Sequence, residues 1–169
     1  RGKGAGRRAH RILMRIAITR PKEDAGPLKA RLESLGHSVV VVSLLAIVPR
    51  RDADIPSQSY QAVAATSANA IRALRNHGEL KSLRMLTVGP QSLRAARGAG
   101  FIHAEAHGGD VDGLVRHIQE TLDPGGGPIL YLSGAETTGD LRGKLETAGF
   151  TCERVVLYDA IPASMLGPV

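Results

Sequence analysis

The segment Ile16–Pro49 returns 113 positions later. Laid on Ile129–Pro162 without a gap, ten of its 34 positions are identical: Ile16/Ile129, Glu23/Glu136, Gly26/Gly139, Leu28/Leu141, Leu32/Leu145, Glu33/Glu146, Gly36/Gly149, Val42/Val155, Leu44/Leu157 and Pro49/Pro162. Each copy reads as strand, turn, helix, strand, proline. In the first, Leu28, Leu32 and Leu35 recur at helical spacing. Gly36 and Gly149 stand where a helix C′ residue takes a left-handed backbone. A strand–helix–strand unit on each side of a middle region points to an α/β chain with parallel sheets.

The middle region opens with YQAVAATSANAIRAL, Tyr60 to Leu74. Ala62 to Ala65 is a small, uncharged strand. Thr66, Ser67 and Asn69 bond locally to backbone, and Ser67 is the expected N-cap of a helix running to about His77-Gly78. In open α/β sheets, ligands sit outside the carboxyl ends of strands, and helix starts there favour anions. The same turn also reads as a well-capped helix without a ligand. Similar turns are Arg20-Pro21, Gly89-Pro90-Gln91-Ser92 and Ser133-Gly134-Ala135.

The remaining elements follow in order. Arg15 to Thr19 is a buried strand, and Glu23-Asp24 places acid at the next helix start. Ser38 to Leu45 is apolar on both faces, as a helix-covered parallel sheet requires. Ala46 to Ser59 is polar and bounded by prolines, which reads as a connection between domains. Arg84 to Val88, Phe101 to Ala106, Ile129 to Leu132 and Cys152 to Leu157 are further strands. Asp110 caps a helix that turns Val111, Leu114, Val115 and Ile118 inward.

Charge excludes less than its total suggests. The net charge is +6, but residues 1–13 hold five basic residues and no acid, leaving 17 basic against 16 acidic residues in the body. No basic stripe remains for nucleic acid. Aromatics are 3% of the chain and Trp is absent, so no ring-stacking platform is available. No apolar run is long enough to span a bilayer. The single Cys152 cannot form an internal disulfide, and a cytoplasmic setting is expected. Met14 reads as a natural start, with 1–13 a disordered tail.

Most catalytic signatures are missing. There is no G-x-G-x-x-G, P-loop or nucleophile elbow. His103, Glu105, His107 and Asp110 lie in a strand end and a glycine loop without helical spacing, so no metal site is expected.

IAITRP, the strand and proline exit from Gly36 to Pro49, YQAVAATSANAIRAL, TVGPQSLRAARGAGF and PILYLSGAETTGDLRGKLETAGFTCERVVLYDAIP resemble, in order and spacing, the uroporphyrinogen-III synthase family. The resemblance covers nearly all of 15–162. It implies two flavodoxin-like parallel-sheet domains joined by a two-stranded connection, the second inserted in the first. The expected division is a tail (1–13), a first-domain fragment (14–47), a linker (48–56), a complete inserted α/β domain (57–157) and a return linker (158–169), with the first domain incomplete here.

The family's reaction converts hydroxymethylbilane to uroporphyrinogen III without a cofactor, losing water and inverting ring D. Carried over by resemblance, Thr66, Ser67 and Ala68, with Gly89, Pro90, Ser133 and Gly134, would bind acetate and propionate groups. Arg20 would join them, and Tyr158 would assist loss of the hydroxyl. A half-buried Tyr with its hydroxyl bonded to backbone is the equal alternative for Tyr158. The expected partner is this polycarboxylate alone, with no nucleic acid, membrane or metal, and a monomer inactive as it stands. A non-catalytic module for anions or sugar phosphates is the alternative. A nucleic-acid binder driven by the tail is a third reading.

Overall fold

The computed structural model describes residues 13–74 and 77–163. The basic tail before Leu13, the expected helix at 75–76 and the chain after Ala163 lie outside the described residues. The described chain falls into two compact units. One is the uninterrupted stretch Ile47–Ala160, and the other is drawn from residues on either side of it.

The smaller unit is one strand–helix–strand: β1 (Arg15–Ile18), α1 (Lys22–Ser34) and β2 (Ser38–Val41). β1 and β2 pair in parallel, with Ile16 opposite Val39. Glu23 and Asp24 fall in the first turn of α1, where its dipole favours them. Arg15 and Ala17 are exposed, whereas the sequence suggests a buried strand. The physical reason is local: this sheet has two strands, and α1 packs on β2.

The elements that follow, of which 47–160 make up the larger unit, are β3 (Leu45–Pro49), β4 (Ala62–Ala65), α2 (Ala68–Ala73), β5 (Arg84–Thr87), α3 (Pro90–Gly98), β6 (His103–Ala106), α4 (Val111–Thr121), β7 (Ile129–Gly134), α5 (Leu141–Thr147) and β8 (Cys152–Pro162). The sheet order is β3-β8-β7-β4-β5-β6. From β8 to β6 every neighbouring pair is parallel. The parallel α/β class is as the sequence suggests. Counted from β4, the order is 3-2-1-4-5, where flavodoxin has 2-1-3-4-5 within the same doubly wound plan. The order reverses between β4 and β7.

Alternating side chains of the central strands feed two cores. Val63, Ala65, Leu130 and Leu132 meet Ala70, Ile71 and Ala96 from α2 and α3. Ala62, Ala64, Ile129 and Tyr131 meet Leu114, Ile118, Leu141 and Leu145 from α4 and α5. Helices therefore cover both faces, and β4 and β7 are buried at every residue. Small alanines in β4 let both helix layers approach the sheet closely.

The repeat is visible in the register. Ile16 faces Val39, and Ile129 faces Cys152, each partner displaced by the same 113 positions. Gly36 (φ 87°) and Gly149 (φ 88°) end their helices in the left-handed region. Behind them, His37 N–H donates to Leu32 and Phe150 N–H to Leu145, the long backbone bond of a Schellman cap.

Further elements differ from the sequence reading. Ser38 to Leu45 is not one buried strand, since β2 stops at Val41 and Leu44 and Leu45 are exposed where the two-stranded sheet offers no cover. α2 ends at Ala73, and a 3₁₀ turn spans Gly78–Ser82. The start of the polar connection is strand β3, at the sheet edge, where a terminal proline is tolerated. It is tied to β8 by Arg50, whose N–H donates to the Leu157 carbonyl and whose guanidinium grips Asp159 at 2.8 and 2.9 Å.

Candidate functional site

Leu132 pairs with Ala65, where β4 ends, so Thr66 leaves the sheet at its reversal while Ser133 and Gly134 of β7 run on beside it, paired with β8. That is the edge where doubly wound sheets take ligands.

Thr66 Oγ1 lies 3.1 Å from the Tyr131 hydroxyl. Burial pushes the Tyr131 phenol up, so the ring keeps its proton and the pair remains neutral. Ser67 is the N-cap of α2, accepting from Asn69 N–H at 3.2 Å. It also accepts from the Tyr158 hydroxyl, at 3.2 Å. Ala68, the first residue of α2, is buried.

Tyr158 reaches Ser67 because β8 carries a bulge. Ser133 pairs with Val156, but Gly134 pairs with Tyr158, and Leu157 is passed over. An extra residue reverses which face the next side chain takes. Leu157 and Tyr158 consequently enter the same core. The Tyr158 ring crosses Gly134. Tyr158 is 8% exposed, so its body is packed and its hydroxyl is held by Ser67 rather than by backbone.

Ser133 is buried and accepts from Arg154 Nε at 2.8 Å. The same guanidinium donates to the carbonyls of Gly134 and Ala135, both at 2.8 Å. Arg154 thus turns the end of β7 into a fixed shelf. Ser133-Gly134-Ala135 is not a helix start, as the sequence reading has it. β7 runs to Gly134, and α5 begins at Leu141, capped by Asp140 through Gly143 N–H.

Gly89 and Pro90 lie after β5, one strand farther along the same edge. Gly89 is the extended N-cap of α3, and Pro90 occupies its first turn. A Cβ at Gly89 would meet nothing within 4 Å, so the approach there is open. Arg20 belongs to the smaller unit. It is exposed after β1, and its carbonyl accepts from Ser43 Oγ at 2.9 Å.

Thr66, Ser67, Ala68, Ser133, Gly134 and Tyr158 are therefore brought together, with Gly89 and Pro90 on the adjoining strand. Sequence reasoning missed Tyr131 and Arg154. Tyr131 hides inside the apolar run of β7. Arg154 sits on the last strand, Cys152 to Leu157, where the sequence gives its charge no partner. Two clefts of 290 and 600 Å³ around Arg50, Arg51, His77 and Lys81 include none of the candidate site residues named from sequence. Among the described residues, no helix is long and apolar enough to cross a membrane.

Comparison with known proteins points one way. The model of the family described as uroporphyrinogen-III synthase HemD matches residues 26–167. A uroporphyrinogen-III synthase of Chlorobaculum parvum is 24% identical over 165 residues, covering 89% of this chain. The chain spans 65% of that relative's length. A mutant uroporphyrinogen III synthase from Thermus thermophilus superimposes with a TM-score of 0.56 at 18% identity, over 90% of this chain and 64% of that one. The uroporphyrinogen-III synthetase of Helicobacter pylori gives 0.58 at 16% identity, over 76% and 58%. The two structures show a shared fold.

Proposed function

Because the chain belongs to the uroporphyrinogen-III synthase family, we propose that its whole protein cyclises hydroxymethylbilane to uroporphyrinogen III, inverting ring D and releasing water. The observation that carries this reading is the hydroxyl pair Tyr158–Ser67 at the sheet reversal, beside the shelf held by Arg154.

The work asked of such a site is mostly positioning. A flexible chain of four pyrroles must bring its ends together with one ring turned over. Holding its carboxylates fixed converts that search into an intramolecular step. Thr66, Ser67, the Ala68 amide and the Gly89-Pro90 turn supply short donors and open backbone for acetate and propionate groups, with Ser133-Gly134 behind them. Arg154 has its guanidinium engaged with three oxygens, so it shapes the edge rather than pairing with substrate. Tyr158 turns its O–H from Ser67 to hydrogen-bond the departing hydroxyl of the bilane and keeps its own proton overall, the proton that completes the water coming from the pyrrole whose C–O bond breaks. The buried Cys152 fits a reducing cytoplasmic setting.

The test uses an octacarboxylate of the product's shape. Uroporphyrinogen III should raise the melting temperature of the chain, and Thr66→Val together with Ser67→Ala should abolish that rise. An equal rise with inorganic phosphate would favour the general anion-binding module. No rise at millimolar uroporphyrinogen would remove this edge from consideration.

A further inference from the structure

Away from the reversal, the far edge of the larger sheet gathers a second set of ligating groups. Glu105 lies on β6, His107 directly after it, and His117 on α4. Their ligand atoms all lie within 4.8 Å of one another. The two imidazoles stack with centroids 3.3 Å apart and planes 8° from parallel. His107 Nε2 is 3.0 Å from Glu105 Oε2. His117 Nε2 is 3.9 Å from the same oxygen, too far for a hydrogen bond. Among the described residues it is the buried side-chain polar atom left without a partner.

A buried polar nitrogen without a partner is destabilising, so its position calls for an occupant. The surroundings are built to hold one. Arg84 grips Glu105 Oε1 with two guanidinium nitrogens, at 2.7 and 3.0 Å, and so fixes the direction of Oε2. The His107 N–H donates to the Thr87 carbonyl at 2.8 Å, extending the β5–β6 ladder past its last residue. The following Gly108 (φ +73°) presses against Gly113 of α4, where a Cβ on either residue would lie 2.3 Å from the other's Cα. That contact sets the loop on the helix and brings His107 over His117.

From this geometry we propose that Glu105, His107 and His117 form a binding site for a divalent transition metal of the zinc class. Two imidazoles and one carboxylate are a donor set that suits such ions. Tetrahedral bonds of about 2 Å place ligand atoms about 3.3 Å apart, so the three atoms, already within 4.8 Å, would draw closer around the ion. The imidazole hydrogen of His107 moves to Nδ1, which frees Nε2 for the metal. Arg84 orients the carboxylate through its other oxygen. The three side chains are 18–35% exposed, so water can complete the coordination. His103 and Asp110, drawn into the sequence set, stand outside: His103 is exposed, and Asp110 caps α4 through Gly113 N–H. His117, ten positions beyond His107, is the member that only the fold supplies.

Zinc titrated into the purified chain, followed by competition with a chromophoric chelator, tests this directly. The expected result is one tightly held zinc per chain. His107→Gln and His117→Gln should each weaken it at least about tenfold, while His103→Gln leaves it unchanged. His107→Gln alters a partly exposed side chain, and its circular dichroism and melting temperature report whether the fold persists. Cobalt should show the visible bands of a low-coordinate site and lose them in the same variants. Absence of stoichiometric zinc binding overturns the proposal. Binding that survives both His107→Gln and His117→Gln in folded protein overturns it equally.

Discussion

Tyr158 lies across Gly134 so closely that a Cβ on residue 134 would stand 2.6 Å from the ring's Cζ and 2.9 Å from its hydroxyl oxygen. Glycine at 134 is therefore a steric condition for the Tyr158–Ser67 contact. Gly134→Ala should push the ring off β7, break that hydrogen bond and cost about 1–3 kcal/mol through overpacking. Thermal or urea melts read the loss. Gly89→Ala is the control, since its Cβ enters open space and its backbone is extended. It should cost only the difference between Gly and Ala as an N-cap, about 0.5–1 kcal/mol, and less than Gly134→Ala. Equal stability of the two variants would show that Tyr158 can move aside freely.

Tyr158→Phe keeps the packed ring and removes only the hydroxyl. Ser67 loses one donor and keeps its cap on Asn69. Stability should fall by about 1 kcal/mol or less. Turnover of hydroxymethylbilane, assayed in the whole protein, should fall by roughly tenfold or more, with binding of the product nearly unchanged. An unaltered turnover rate would reduce Tyr158 to a packing residue.

Arg154 joins β8 to the end of β7 through Ser133, Gly134 and Ala135. Arg154→Met keeps much of the stem and deletes every one of these bonds. The carbonyls it leaves would turn away from β7, and the shelf with them. A loss of about 1.5–3 kcal/mol is expected, as for hydrogen bonds to a charged group. Weaker stabilisation by uroporphyrinogen III should accompany it. If melting falls but the ligand response is intact, Arg154 supports the strand without shaping the site.

The parts of this molecule that local chemistry decides could be read from the chain. Ser67 caps α2 because a hydroxyl at that position satisfies an orphan amide. Gly36 and Gly149 end helices because a left-handed residue is needed there. The repeat carried register as well as element order, since a common strand–helix–strand length places Ile16 and Ile129 alike. What escaped depends on contacts made across the sheet. The bulge that turns Tyr158 towards Ser67 leaves no local mark, because Val156, Leu157 and Tyr158 all suit a strand. Arg154 reads as a stray charge until β7 lies beside it. His117 reads as one polar position on an amphipathic helix until the Gly108–Gly113 contact brings His107 over it.

Cys152, the chain's single cysteine, opens β8 opposite Ile129 and is 4% exposed. Burial pushes its thiol up to about 12, with Glu146 adding to the shift. The reactive species is the thiolate, which at pH 8 would be about one part in ten thousand of such a group. Folded protein should therefore leave Ellman's reagent nearly unreacted at pH 8, and denaturant should release one thiol at once. The sign of the stability effect follows. The folded pKa is raised, so the unfolded chain gives up this proton first, near pH 8.5. The contribution is fully present below that value and is lost as pH rises towards about 12. Cys152→Ala removes the titrating group, so its melts should flatten with pH over that alkaline window relative to the parent. Rapid labelling of native protein at pH 8, at a rate near that of a free thiol, would mean that β8 opens at its start.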